Sequence, residues 1–319
     1  KIVSTYLPAF DTAGMTLSST EVDEKYFYPG TNKEVRNWNR SSFRGKTTLR
    51  QAIIDSMNVI AVKTLEKVTP KVAYDYLNLG FTTLVDSRTD KNGKTFSDIQ
   101  LPMALGGLTD GVTNIELTAA YASIANMGVY TEPVLYTKIV DHDGNVLLDN
   151  SEQETHRVLK ETTAFLLTDM MRDVITKGTG TKAAISGMNV AGKTGTTNDT
   201  VDLTFYGYTP YYTAGIWMGY DSQKEIINAN NAHLRIWSSV MSQIHYDKGL
   251  KNKEFKKPDG LTTRSICSAS GMTPSSLCNS DYYGYGVTSD YVTTDFKGST
   301  GGGTCTMHKS YTICSETGK

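Results

Sequence analysis

Two short stretches carry side chains suited to acyl chemistry on a peptide. Lys193-Thr194-Gly195-Thr196-Thr197 combines a cation, hydroxyls and a glycine. In an extended segment Lys193 supplies fixed positive charge, the hydroxyls of Thr194 and Thr196 grip a carboxylate, and Gly195 lets a substrate backbone lie alongside. Far upstream, Ser56-Met57-Asn58 offers a hydroxyl that relays a proton and an amide that binds both ends of a peptide group. A substrate ending in a free carboxylate fits this equipment. Each motif alone is common by chance, and helix caps produce Ser-x-Asn constantly, so the weight lies in their joint presence. Lys63 can be taken as a support for the site, but a solvated lysine is the better reading.

Other chemistries find less support. Gly187-Met188-Asn189-Val190-Ala191-Gly192-Lys193-Thr194 fits the phosphate-binding pattern Gly-x4-Gly-Lys-Thr, which requires a helix whose first amides face the phosphates. Here turn residues and another strand pattern follow Thr194, so nucleotide binding is set aside. The histidines His142, His156, His233, His245 and His308 form no close pair and no His-Glu-x-x-His, which leaves zinc catalysis unsupported and predicts no metal or organic cofactor. No carboxylate pair stands out for glycoside chemistry. A formal net charge of -1 gives no field for nucleic acid or an anionic membrane.

The elements that must position these residues are marked by their ends. Thr69 caps a helix that starts at Pro70 and stops before Gly80. Thr113 and Glu116 form a capping box for a helix closed by Gly128. A third helix runs from about Lys160 to Thr176 and stops at Gly178, and a last one from about Asn231 to Tyr246. The stretch between Leu49 and Val68 is helical in pattern, but Ser56-Met57-Asn58 interrupts it with residues that compete for backbone hydrogen bonds. That predicts a helix-loop-helix break that aims polar groups into a cleft. Beyond Gly178 the apolar period shifts toward two, and 190–196, 203–208 and 212–220 read as adjacent antiparallel strands. Residues 137–148 read as a hairpin turning at Asp143-Gly144-Asn145. The fold class is α/β, an antiparallel sheet flanked by helices.

With 319 residues, 39% hydrophobic and 20% charged, the chain can bury one substantial core plus a smaller unit. The main domain is expected over 1–249, followed by a linker and appendage over 250–319. The appendage is rich in Tyr, Ser and Gly and holds all four cysteines, Cys267, Cys278, Cys305 and Cys314. Short loops favour the disulfides Cys267–Cys278 and Cys305–Cys314 and an oxidising compartment, while Cys-x10-Cys and Cys-x8-Cys do not match the tight spacings of zinc modules. Tyr282, Tyr283, Tyr285 and Tyr291 are better read as packing on the main domain than as a recognition surface. No apolar run is long enough to cross a membrane and no signal peptide is evident. The opening Lys1-Ile2-Val3-Ser4-Thr5-Tyr6-Leu7-Pro8 reads as the middle of a helix, hence as part of a longer polypeptide.

An ordered set of motifs carries a resemblance. Leu105-Gly106-Gly107-Leu108-Thr109-Asp110-Gly111-Val112-Thr113, Glu116-Leu117-Thr118-Ala119-Ala120-Tyr121, Gly178-Thr179-Gly180-Thr181, Ala191-Gly192-Lys193-Thr194-Gly195-Thr196-Thr197-Asn198-Asp199, Gly207-Tyr208-Thr209-Pro210 and Trp217-Met218-Gly219-Tyr220-Asp221 resemble the transpeptidase domain of class A penicillin-binding proteins. The resemblance covers about residues 1–225 in family order. It implies a β-lactamase/transpeptidase-like fold, with a small disulfide-stapled C-terminal appendage outside it. The implied activity is cross-linking of peptidoglycan stem peptides ending in D-Ala-D-Ala, with covalent inhibition by β-lactams.

The resemblance also implies roles. Lys1 falls where the lysine of the family's Ser-x-x-Lys motif belongs, as the base, and the nucleophilic serine lies three places upstream of it. Ser56 shuttles a proton to the leaving amine, Asn58 orients the substrate amide, Lys193 and Thr194 hold the carboxylate, and the Thr196 backbone N–H is one oxyanion donor. A glycosyltransferase domain and a membrane anchor are implied further upstream, on the extracellular face of the bacterial cytoplasmic membrane. By themselves residues 1–319 are expected to be inert, since no serine in them has a lysine three positions later. Where many relatives carry tryptophan after the aspartate that follows Lys-Thr-Gly, this chain has Asp202-Leu203-Thr204-Phe205, which alters a cleft wall. A D,D-carboxypeptidase or β-lactamase shares the motifs, and a non-catalytic module binding wall peptides or β-lactams would share the cleft.

Overall fold

A computed structural model describes residues 1–39, 42–280, 286–296 and 303–310. At its centre lies α3 (Asn58–Val68), whose Val59, Ile60, Ala61, Val62, Thr64 and Leu65 are all buried. Its broad apolar face is enclosed by the core, while Glu66 and Lys67 on the remaining side are exposed. Around it pack the opening π-helical turn Ile2–Tyr6 with α1 (Leu7–Asp11), then α2 (Leu49–Ile54) and α4 (Pro70–Leu77). Two short strands, β1 (Thr20–Asp23) and β2 (Gly45–Thr48), pair antiparallel ahead of α2.

The expected three-stranded sheet is present as β3 (Ala191–Thr196), β4 (Asp202–Tyr208) and β5 (Thr213–Gly219), antiparallel with β4 in the middle. Both faces are covered. Ala191, Tyr206 and Tyr208 join the large core with α3 and α6 (Glu161–Lys177), while Val190 and Phe205 meet Leu234, Trp237 and Met241 of α7 (Ala232–Asp247). The strand alternation explains the division, since neighbouring Phe205 and Tyr206 must point to opposite faces. Phe205 is fully buried against Trp237, edge to face at 4.9 Å between ring centroids, a burial that contributes about 2–3 kcal/mol. Gly192 is required by close approach, because a Cβ there would lie 2.5 Å from the Phe205 ring.

The Thr113–Glu116 capping box opens α5 (Asn114–Ala125), which packs against β5. The hairpin forms over Lys138–Val140 and Val146–Asp149. Thr69 departs from expectation: it makes no side-chain cap, because it closes α3 and opens α4 at once with φ 80°.

In the appendage β6 (Leu261–Cys267) and β7 (Val287–Thr293) pair antiparallel. Leu261 and Tyr291 pack on the large core, Tyr291 edge-on to Phe165. Tyr282, Tyr283 and Tyr285 lie outside the described residues. Arg50 of α2 donates to Asp290 of β7 and to Asp169 and Asp173 of α6, tying appendage, α2 and α6 together. Cys267 and Cys278, expected as a disulfide, are free thiols among the described residues, as is Cys305. Their sulfurs meet in a cluster with His308. Cys314, and with it the Cys305–Cys314 pairing, lies outside the described residues.

Candidate active site

Local folding fixes Ser56. At the end of α2, Ser56 N donates to Ile53 O (3.1 Å) and Met57 N to Ala52 O (2.8 Å), the paired bonds of a Schellman closure. Ser56 occupies its left-handed position with φ 54°, where glycine is commonest. The buried Ala52 and Met57 supply the accompanying apolar contact. This is the break the motif predicted, and it turns the Ser56 hydroxyl toward two lysines.

Lys1 Nζ lies 3.0 Å from Ser56 Oγ and donates to Ser56 O at 2.6 Å. Its backbone is held by the π-helical turn, with Thr5 N and Tyr6 N both donating to Lys1 O. From the opposite side Lys193 Nζ reaches Ser56 Oγ at 2.9 Å, Thr194 O at 3.1 Å and Thr194 Oγ1 at 3.2 Å. Lys193 is only 4% exposed. Burial brings its ammonium down to about 7. Burial, and then repulsion from Lys193, holds Lys1 well below the ordinary lysine range. Two ammonium groups around one part-buried hydroxyl repel each other. That repulsion adds to burial in favouring loss of a proton from the pair.

Residues far apart in the chain thus meet as the motifs required. Gly195 and Thr196 continue β3 outward, with Gly195 half-buried and Thr196 exposed. Among the described strands β3 is an edge of its sheet, so one side of it is open to an extended ligand. A Cβ at Gly195 would fall 2.3 Å from Thr204 Oγ1. Asn58 starts α3, and its Nδ2 donates to Arg36 O at 2.7 Å. Lys63 does not join the group; it bonds Val22 O and Glu24 and lies over the Tyr26 ring, so it is neither part of the site nor a freely solvated lysine. The phosphate-loop pattern fails as expected, because Thr194 lies within a strand and only a short turn separates it from β4.

Three contributors were not singled out as site residues by the sequence. Asn37 Oδ1 accepts from Asn58 N and Val59 N, capping α3 from outside, while its Nδ2 is held by Asp23. Trp38 is 68% exposed and donates from Nε1 to Asp55 O, next to Ser56, so it stands as an indole wall beside the site. Thr179 Oγ1 lies 2.7 Å from Thr194 Oγ1. It is brought there because Gly178 lets the end of α6 approach α2, a Cβ on it falling 2.6 Å from Ile54 O. Thr179 sits in Gly178-Thr179-Gly180-Thr181, so that motif held the signal without the role. The group gathers two amines, the Ser56 hydroxyl and the paired hydroxyls of Thr179 and Thr194.

The penicillin binding protein transpeptidase domain family matches residues 1–232. The chain belongs to that family. Among curated relatives, penicillin-binding protein 1A of Clostridium perfringens is 33% identical over 301 residues, 91% of this chain and 35% of that protein. The Streptococcus pneumoniae protein of the same name is 32% identical over 291 residues, 82% of this chain and 37% of that protein. The chain therefore spans about a third of the length of these relatives. In fold it is similar to penicillin-binding protein 1A from Haemophilus influenzae, with TM-score 0.70 and 20% identity over 92% of this chain and 47% of that one. It is also similar to PonA1 from Mycobacterium tuberculosis in complex with penicillin V, with TM-score 0.68 and 22% identity over 80% of this chain and 70% of that one. These likenesses bear out the transpeptidase-like α/β fold.

Proposed function

We propose that the chain forms the acyl-transfer site of a D,D-transpeptidase that cross-links peptidoglycan stem peptides ending in D-Ala-D-Ala and is acylated by β-lactams. The observation that carries this is the approach of Lys1 Nζ and Lys193 Nζ to the one hydroxyl of Ser56, at 3.0 and 2.9 Å. A serine three residues before Lys1 attacks the penultimate carbonyl, and neutral Lys1 takes its proton. Ser56 passes a proton to the departing D-Ala amine, with Lys193 stabilising the charge that moves through the relay. Lys193, Thr194 and Thr196 hold the terminal carboxylate, and the substrate lies along the open side of β3 past Gly195. Asn58 orients the substrate amide, and the Thr196 N–H contributes to the oxyanion site. No metal or organic cofactor enters these steps.

The domain division that goes with this reading places the transpeptidase unit at 1–249 and the linker and appendage at 250–319. Among the described residues no helix is long and apolar enough to cross a membrane. In the proposal, an upstream segment anchors the site to the outer face of the cytoplasmic membrane.

Labelled penicillin incubated with the polypeptide as its gene encodes it should acylate one residue, mapped to a serine three positions before Lys1. Ser56→Ala should slow that labelling by at least about 100-fold, the usual worth of a proton-transfer group. Absence of labelling would leave a binding module. Labelling followed by water-driven release, with no product formed on an acceptor amine, would leave a hydrolase.

A further inference from the structure

The appendage brings together four groups that the transpeptidase site does not use. Cys267 ends β6, Cys278 follows in the next loop, and Cys305 and His308 come from a later segment. Their sulfur and ring-nitrogen ligand atoms lie within 4.8 Å of one another, and Cys267 Sγ is 3.1 Å from His308 Nε2. We propose that this cluster is a structural zinc site with a Cys3His ligand set. Zinc bonds of about 2.3 Å to sulfur and 2.0–2.1 Å to nitrogen place tetrahedral ligand atoms about 3.6–3.8 Å apart. The four atoms bracket that separation, so small side-chain rotations close the tetrahedron.

Hydrogen-bond donors surround the sulfurs. The amides of Ala269 and Ser270 and the Ser270 hydroxyl face Cys267. The Ser270 hydroxyl and the Met307 amide face Cys305. Ser275 N donates to Cys278 Sγ at 3.2 Å, with Ser275 Oγ 3.4 Å away. Donors aimed at sulfur stabilise a charged, metal-bound thiolate, and such outer contacts orient the ligands. The three sulfurs are buried. A disulfide between any two of them would leave the third, with its donors, facing His308.

The backbone holds the ligand-bearing loops in place independently. Cys267 N donates to Met272 O and Gly271 N to Cys267 O, closing a tight turn under the first ligand. Cys305 N donates to Thr273 O at 2.7 Å, and Thr273 and Thr304 form a bridge. This carries the last two ligands across to the turn. Their spacing, Cys305-x2-His308, is the tight kind that zinc loops use. Spacings between cysteines alone do not display this pair. The turn rests on the main domain, where a Cβ at Gly271 would fall 2.0 Å from Ser18 O. Metal binding at this site therefore locks the appendage where it meets the catalytic unit.

The test is metal analysis of the whole polypeptide purified without chelator. It should hold about one zinc per chain, falling to about none in Cys278→Ser and in His308→Ala. Cobalt substituted for zinc in the unmutated protein should show a thiolate-to-metal charge-transfer band, which reads ligation without relying on any variant's folding. Chelation should lower the melting temperature and open the appendage to protease while the main domain resists. The proposal is overturned by a metal-free protein whose unreduced peptide map links Cys267 to Cys278. It is equally overturned by zinc retained in full in both variants, which marks an ion bound elsewhere. Zinc kept by His308→Ala but lost by Cys314→Ser would refute the ligand set.

Discussion

Replacing Glu116 by glutamine tests how far the capping box holds α5 against the catalytic sheet. Glu116 is 7% exposed. One carboxylate oxygen accepts from Thr82 N at 2.7 Å and Thr82 Oγ1 at 2.8 Å. The other accepts from Thr113 N at 2.9 Å and Thr113 Oγ1 at 2.8 Å. Burial pushes the carboxyl up, but the amides and hydroxyls of Thr82 and Thr113 outweigh it and hold the group at about 2 against an ordinary 4.5. At about 1.36 kcal/mol per pH unit, that depression stabilises the ionised fold by about 3 kcal/mol. Because the folded value is the lower one, this stability is fully present above about pH 4.5 and is lost as pH falls toward about 2.

Glu116→Gln removes the charge and sets an NH2 group against two donors. The expected cost at pH 7 is about 2–4 kcal/mol, or a fall of about 3–6 °C in melting temperature for a chain of this size. Thermal melts of residues 1–319 across pH 2.5–7 provide the measurement. The variant should start lower at neutral pH and lose less than the parent on acidification, so the two curves converge. Melting within about 2 °C of the parent at pH 7, or an unchanged acid slope, would refute the reasoning.

Two further outcomes concern the site itself. Burial brings Lys193 to about 7, so its positive charge, which in the proposed function holds a carboxylate, is progressively lost above that pH. The second-order rate of acylation by a carboxylate-bearing β-lactam should show an alkaline limb there, and Lys193→Arg should move that limb upward, because a guanidinium stays charged. A limb that does not move would detach it from Lys193. Gly195→Ala should slow acylation by about tenfold or more, since the new methyl displaces Thr204 and shifts the strand edge that positions substrate. Thr204→Ala in the same chain should restore most of the rate, and failure to restore it would mean that the methyl obstructs the ligand directly.

Much of the framework was legible because it is locally encoded. Thr113 and Glu116 satisfy each other across one helical turn, and the neighbours Phe205 and Tyr206 divide between two cores as strand alternation demands. The break at Ser56 was visible because Ser and Asn compete with helix hydrogen bonds. What stayed hidden depends on chain segments meeting in space. Asn37 caps a helix that begins 21 residues later, and Thr179 reaches Thr194 only because Gly178 packs on α2. No local pattern reports either encounter. The cysteine cluster was hidden for the same reason: His308, 3.1 Å from Cys267 Sγ, enters from a separate segment.

The left-handed turn at Ser56 narrows what evolution can place there. A side chain branched at Cβ is a steric outlier at φ 54°, so even threonine, which would keep a hydroxyl, brings strain with it. Glycine would relax the backbone and forfeit the hydroxyl that both lysines reach. The position admits few substitutes, and any drift that preserves turnover must pass through residues lining the cleft around it.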